Sequence, residues 1–434
     1  MMIQRAAIGL LPAEGYNRSM PRAILDDRWA ELVRQVQTQG PILPEDLGWR
    51  PEQIVLTRGC DDRPHEAVFC ERLIAAFSGA RVVDARHIPH NRVSVPGDTS
   101  IQRIERGKRV LVLGAMRKPI SQNADPETGA GTLCTAYYAV HPAWFCLYNC
   151  AFCYLSGSPG VRFSPTVRLF TNLYDILLQM QRVLAASKQM VSFYVGKVQD
   201  GLQLDPIGGF SRVLAPFVRA HENAHLVFLT KSTAVDGLID VCPPPDVESD
   251  STSGLPGRVA VSWSLNAPEV CTRFEWGAPS FDERLRAARR CADAGLPVRF
   301  VFMPLIPIEG WREAYSSAIA RALDAVTPAR ITLGGICSYP GALHDTAERL
   351  GPDNLISSHA TAKHGRRLRY EPALRAAMYR HAIDEIRRCS PQTPVSLCLE
   401  SEQSWRDAGL DPRQCRCNCI EGSWDLLSRG HTAT

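Results

Sequence analysis

The sequence predicts an α/β chain centred on an incomplete (β/α)6 barrel of the TIM type, with a small N-terminal α/β lead-in and a C-terminal cap. Three observations predict it. Between residues 135 and 333, short β-branched runs alternate with amphipathic stretches long enough for helices. The alternation gives six units, fewer than the eight that close a barrel, so the sheet keeps a lateral opening. Beyond about Tyr339 the rhythm stops.

In chain order, residues 1–50 form a peripheral extension with a helix over 27–38 and a turn-rich stretch, GPILPEDLGWRP, after it. The lead-in occupies 51–130, with strands at 53–57, 80–85 and 109–114 and a helix at 65–77. The barrel takes 131–345. Its strands fall at 135–140, 190–195, 225–230, 258–265, 298–303 and 330–333, and its helices at 172–186, 209–220, 235–241, 280–294 and 311–326. Residues 243–257, PPPDVESDSTSGLPG, read as a surface loop. The cap covers 346–434: 340–369 reads as irregular, 372–388 as a helix and 394–399 as a strand, and the sequence CRCNC follows.

Composition excludes several classes. With 434 residues, 45% of them hydrophobic, the chain can bury a full-sized core and is neither a coiled coil nor a disordered tail. A net charge of +4 names no polyanionic partner. Residues 1–19 lack the basic and long apolar regions of a secretion signal, which points to the cytoplasm. Residues 128–161 carry no Asp, Glu, Lys or Arg, yet His141, Pro142, Asn149, Pro159 and four cysteines interrupt them, so a membrane span is not expected.

Fifteen cysteines are too sparse for a disulfide-stapled miniprotein, and they gather at two places, which points to metal or redox chemistry in a reducing compartment. The first is Cys146-Leu-Tyr-Asn-Cys150-Ala-Phe-Cys153, at the end of the first barrel strand. Three thiolates on one loop can ligate three irons of a [4Fe–4S] cluster and leave the fourth open to a small chelating ligand. A zinc site would need a fourth ligand, and only His141 is near in sequence.

This spacing, with an aromatic residue before the third cysteine, resembles the radical S-adenosylmethionine superfamily. Within it, the chain resembles the spore photoproduct lyase-like family through a collinear series of segments. These begin at His90-Asn91-Arg-Val-Ser-Val-Pro96-Gly97 and Cys150-Ala-Phe-Cys153-Tyr154-Leu155. They continue through Leu229-Thr-Lys231, Ser264-Leu-Asn266, Arg273-Phe-Glu275, Ser280 to Arg284, Pro304-Leu-Ile306 and Glu309-Gly-Trp311. The resemblance covers roughly residues 52–335 and implies a radical S-adenosylmethionine barrel. In such an enzyme a reduced cluster cleaves S-adenosylmethionine to a 5′-deoxyadenosyl radical, which abstracts hydrogen from a nucleobase, nucleoside or nucleic acid.

Carried over by position, the resemblance implies Cys146, Cys150 and Cys153 as metal ligands and Phe152 beside the adenine. Lys231, Ser264 and Asn266 become cofactor contacts, and Tyr154 and Asp200 catalytic candidates. The family's hydrogen-donor cysteine aligns with Lys197, three residues before Asp200. Lysine cannot give a hydrogen atom to a carbon radical, which argues against the family's relay and against thymine-dimer repair itself. Cys337, at the end of the sixth strand, is an alternative donor.

The second gathering, Cys415, Cys417 and Cys419 with Cys398 upstream, leaves three readings open: an auxiliary iron–sulfur cluster, a hydrogen donor, or packing. Two basic stretches, 363–369 and 284–290, could meet nucleic acid or be solvated faces. The expected partners are a reductant of flavodoxin or ferredoxin type and a nucleic-acid-related substrate. Competing functions are a tailoring enzyme for a small molecule or peptide, and a non-catalytic iron–sulfur redox protein.

Overall fold

The computed structural model describes residues 24–123, 132–133, 136–242, 258–414 and 417–420. The expectations for residues 1–19, the loop 243–257 and Cys415 lie outside them. The first strands in chain order are β1 (Gln53–Thr57), β2 (Arg81–Ala85), β3 (Val110–Gly114), β4 (Ile120–Asn123), β5 (Tyr137–Val140), β6 (Ala143–Trp144), β7 (Val167–Phe170) and β8 (Val191–Val195). There follow β9 (Ala224–Thr230), β10 (Val259–Leu265), β11 (Val298–Phe302), β12 (Arg330–Leu333), β13 (Cys337–Ser338), β14 (Ala362–His364), β15 (Arg367–Arg369) and β16 (Val395–Leu397).

The main sheet runs β16-β12-β11-β10-β9-β8-β5-β4. The six expected barrel strands lie in it side by side, in sequence order and mutually parallel. Only β4, antiparallel to β5, departs from that direction. Helices Leu173–Ala185, Ser211–Arg219, Phe281–Asp293 and Trp311–Ala325 lie between successive strands, as a parallel sheet requires. The chain is thus α/β, with a partial barrel at its centre.

Two strands join sheets that sequence patterning did not connect. Strand β16 pairs in parallel with β12 and extends the barrel sheet with a piece of the C-terminal segment. Strand β7 pairs with β3 and joins the lead-in sheet β2-β1-β3-β7-β6. Such pairings are long-range and short, and periodicity carries no sign of them. Residues 340–369 are more regular than expected: a helix spans Pro340–Leu350, and β13, β15 and β14 form a small antiparallel sheet. Pro340 at the first helical position starts that helix; it does not break it.

Helix Asp27–Gln39 is part of the core. Its buried face presents Trp29, Val33 and Gln37, with the Trp29 ring 5.3 Å from Phe217 in an edge contact. Among the described residues no helix is long and apolar enough to cross a membrane.

Alternation along the strands decides what the barrel encloses. Register pairs Ser192 with His225, Arg299 with Arg330, and Thr332 with Ser396, and all six are buried. This inner face is polar, and the last described segment, residues 417–420, fills it. The Arg299 guanidinium donates to the carbonyls of Asn418 (2.7 Å) and Ile420 (3.0 Å). Arg330 donates to those of Cys417 (2.9 Å) and Ile420 (3.1 Å). Ser262 on β10 donates to Asn418 Oδ1 at 2.8 Å.

Candidate active site

The three-cysteine loop leaves the barrel just beyond β5 and β6, where the ends of parallel strands open. Phe145 takes a left-handed backbone (φ 66°) and so turns the chain into the loop. The loop is then fastened along its length. Phe145 N–H donates to the carbonyl of Val198, Leu147 N–H to Gln203 Oε1 (2.8 Å), Asn149 N–H to the carbonyl of Trp276 and Ala151 N–H to that of Phe274. Lys108 reaches the Tyr148 carbonyl. Helix Pro340–Leu350 lies against it, with Thr346 donating to the Ala151 carbonyl (2.8 Å) and Arg349 to Asn149 Oδ1 (3.0 Å).

Cys146, Cys150 and Cys153 sit close enough to influence one another's charge. Burial pushes the thiols of Cys146 and Cys150 up, Cys150 to about 12, against the pull of Lys108 on the first and of Lys231 and Arg284 on the second. Thiolates persist there only beside further positive charge, which bound iron supplies. Three soft donors in an uncharged, shielded loop with cations around it suit an iron–sulfur cluster.

Facing Cys150 is a buried charge network that sequence reasoning identified only in part. Lys231 Nζ, just past β9, donates to Ser264 Oγ at 2.7 Å and lies 3.5 Å from Glu275 Oε1. Glu275 also pairs with Arg284 at 2.5 Å. Burial opposes the charged form of Glu275, but Lys231 and Arg284 outweigh it and hold the carboxyl below its usual range. Arg284 therefore belongs to the interior, and Arg289 and Arg290 pair with Asp293 and Asp236. The arginines of 284–290 do not form a free basic stripe.

Asp200 and Asn266 have their polar atoms occupied. Asp200 accepts from the backbone N–H groups of Leu202 (3.1 Å), Gln203 (3.0 Å) and Lys231 (2.6 Å) and from Thr230 Oγ1 (2.5 Å). It braces the turn after β8 to the end of β9 and so positions Lys231. Asn266 donates to the Pro304 carbonyl (2.8 Å) and accepts from Tyr315 (2.6 Å), tying β10 to the next strand's exit. Phe152 is buried in the core. His141 is buried too, with Nε2 2.9 Å from Ser121 Oγ.

Across the mouth, the Tyr154 hydroxyl donates to the backbone carbonyl of Lys197, and the Arg367 guanidinium lies over the rings of Tyr154 (5.5 Å) and Tyr339 (4.8 Å). Arg367 belongs to the basic stretch 363–369, which forms the β14–β15 hairpin. Lys197 interacts electrostatically with Tyr154, Arg367, Cys419 and Cys398. Cys398 interacts with Cys417, Lys197 and Cys337, and the Cys337 thiol meets Arg369. Of the second cysteine gathering, Cys398 and Cys419 therefore lie near enough to Lys197 to influence its charge. Among the described residues no three His, Cys, Asp or Glu side chains already stand as a metal-ligand set. Arg299, Arg330 and His225 were the missed signal: charged residues at inward strand positions imply a polar filling.

A parallel partial barrel carrying a three-cysteine loop beyond its first strand is the arrangement of a radical S-adenosylmethionine enzyme. Residues 62–333, well over half of the chain, match the spore photoproduct lyase family model, and the chain belongs to that family. The spore photoproduct lyase of Geobacillus sp. (strain Y412MC61) is 29% identical over 297 residues, which cover 67% of this chain and 77% of that protein. The spore photoproduct lyase of Bacillus subtilis (strain 168) is 27% identical over 241 residues, covering 55% and 64%. A solved spore photoproduct lyase complexed with dinucleoside spore photoproduct shares the fold at a TM-score of 0.67 and 24% identity, covering 82% of this chain and 100% of that one. A mutant of a spore photoproduct lyase with bound AdoMet and dinucleoside spore photoproduct matches equally, at 0.67 and 23%, covering 80% and 98%.

Proposed function

We propose that the chain cleaves S-adenosylmethionine reductively and uses the resulting radical on a nucleobase, nucleoside or nucleic-acid substrate, with thymine-dimer repair itself disfavoured by Lys197 at the donor position. The observation that carries this is the fastened Cys146/Cys150/Cys153 loop facing the buried Lys231–Ser264–Glu275 network. Cys146, Cys150 and Cys153 would hold a [4Fe–4S] cluster, which when bound supplies the electron that splits the sulfonium. Lys231, held by Ser264 and Glu275, offers an ammonium to the methionine carboxylate. Asp200 and Asn266 act as positioning residues for the strand ends, and Phe152 supplies the loop's aromatic wall. Lys197 and Arg367, at the mouth, can take a phosphate or another anionic substrate group. A one-electron donor of flavodoxin or ferredoxin type delivers the reducing equivalent.

Reconstituted protein under dithionite should form 5′-deoxyadenosine and lose that reaction in Cys150→Ala; no 5′-deoxyadenosine from the parent protein sinks the proposal. Lys197 at the aligned donor position favours a second reading, a tailoring enzyme for a small molecule or peptide. Salt-sensitive binding of photoproduct-bearing DNA separates the two, because a nucleic-acid enzyme loses affinity steeply with salt.

A further inference from the structure

One buried cation beside the cysteine loop has no part in the chemistry proposed above. Lys108 caps helix Ser100–Gly107, and its backbone is held on both sides: the N–H donates to the Ile104 carbonyl at 3.0 Å, and the carbonyl accepts from Trp49 Nε1 at 2.8 Å. The side chain turns inward, so that only 8% of the residue is exposed. Its ammonium donates to the carbonyl of Tyr148, midway between Cys146 and Cys150, and stands 4.9 Å from the centre of the Phe145 ring. Lys108, Phe145, Cys150 and Cys153 line one small cavity beside the loop, together with Asp345 and Arg349.

The charges around this cavity do not cancel. Asp345 is engaged by other groups: its Oδ2 pairs with Arg162 at 3.0 Å and accepts from Ser100 at 3.3 Å. Arg349 is partly exposed, donates to Asn149 and lies over the exposed Trp276 ring, where water and salt screen it. Lys231 and Arg284 share Glu275, but among the described residues no carboxylate lies within ion-pair distance of Lys108. Burial pushes the Lys108 pKa down, and the groups that oppose it are the sulfurs of Cys146, Cys153 and Cys150. A buried ammonium without a carboxylate is unfavourable, and the loop itself brings no charged side chain, since residues 128–161 contain no Asp, Glu, Lys or Arg. The negative charge that can stabilise Lys108 is therefore that of the iron-loaded cysteines.

We propose that Lys108 is a positioning residue for charge: its fixed ammonium offsets the negative charge of the reduced cluster and so raises the potential at which the cluster accepts its electron. The proposal rests on the iron–sulfur reading of the cysteine loop given above. The step it governs is a single-electron transfer, in which the flavodoxin- or ferredoxin-type donor loses one electron, the cluster gains it, and no bond forms or breaks. A charge in a shielded site keeps most of its field, whereas an exposed one does not. Lys108 meets that condition and Arg349 does not.

The test is a mediator-poised redox titration of the reconstituted protein, read by the electron paramagnetic resonance of the reduced cluster, with iron content and melting temperature measured on the same samples. Lys108→Gln leaves a polar side chain and removes the charge. It should load iron as the parent does, yet at the parent's midpoint potential its ratio of reduced to oxidised cluster should be about tenfold lower, a shift of about 59 mV for a one-electron couple. Lys108→Arg keeps the charge and should restore the parent's value. An iron-loaded Lys108→Gln protein that titrates with the parent overturns the proposal, as does an arginine variant shifted as far as the glutamine one, because either result leaves Lys108 only a strut for the loop. If Lys108→Gln fails to fold or to load iron, Asp345→Asn reads the same cavity with the opposite sign: its ratio of reduced to oxidised cluster should rise, and a ratio unchanged or lower overturns the proposal. A parent protein that binds no iron overturns it together with the reading on which it rests, whereas an iron-loaded parent that forms no 5′-deoxyadenosine sinks the radical reading alone.

Discussion

His141 follows the first barrel strand by one residue, and its environment sets a pH response. Burial lowers its pKa from 6.5 to about 4, and Ser121 holds Nε2 at 2.9 Å. Because the folded value is depressed, its contribution to stability is present above 6.5 and is lost as pH falls towards 4, where the unfolded chain takes the proton first. Asp205, raised to about 6, and Glu66, raised to about 7, act oppositely and stabilise as pH falls. A difference measurement cancels them. Relative to the parent protein, His141→Gln should gain roughly 3 kcal/mol of unfolding free energy between pH 7 and pH 4. Denaturant melts of both proteins at the two pH values check this, and a constant gap refutes it. At this scale the sequence disclosed chemistry better than geometry. The motifs pointed to the cysteine loop and Lys231, but nothing local could show that Thr230 and Lys231, some thirty residues on, complete the hydrogen bonding of Asp200, or that Pro304 and Tyr315 occupy Asn266.

Among the elements, helix Pro340–Leu350 shows how one covering element fixes the cysteine loop. It approaches so closely at Gly157 that an added Cβ would lie 2.7 Å from Ala342 N and 2.8 Å from Tyr339 Cβ. Both are in or next to the helix start, so relief requires the helix to move. Moving it strains the Thr346 bond to Ala151 and the Arg349 bond to Asn149, which hold the loop on either side of Cys150. Gly157→Ala should therefore cost about 1–3 kcal/mol and make iron dissociate faster from reconstituted protein. Thermal melts and chelator-driven iron loss measure both, and normal iron retention with a lowered melting point would place the helix outside the site. Strands β8 to β12 were legible because each buries a β-branched run between Gly-, Pro- or Asn-marked turns. This helix was not, because its first residue is a proline and its apolar stripe is short.

For the molecule as a whole, the C-terminal segment works as interior material. An incomplete barrel needs its inner face filled, and here the strands supply guanidiniums and hydroxyls where a closed barrel stacks aliphatic layers. Arg299 reaches His225 Nε2 at 3.1 Å on one side and the carbonyls of residues 418 and 420 on the other, and Arg330 shares the Ile420 carbonyl. The segment thus neutralises charge burial with backbone dipoles. Truncation after residue 414 takes away these carbonyl acceptors and the partner of Ser262 together. Hydrogen bonds from charged donors are worth about 1.5–3 kcal/mol each, so the loss should be on the order of 4 kcal/mol after water enters. Replacing both arginines by methionine in the truncated chain should recover part of that loss, because no buried charge then remains to be solvated. Calorimetry of the full chain, the truncated chain and the truncated Arg299→Met/Arg330→Met chain separates the alternatives. A truncated chain that melts with the full one would show that the barrel does not depend on its plug, whereas a loss that methionine does not relieve would trace it to packing and not to charge.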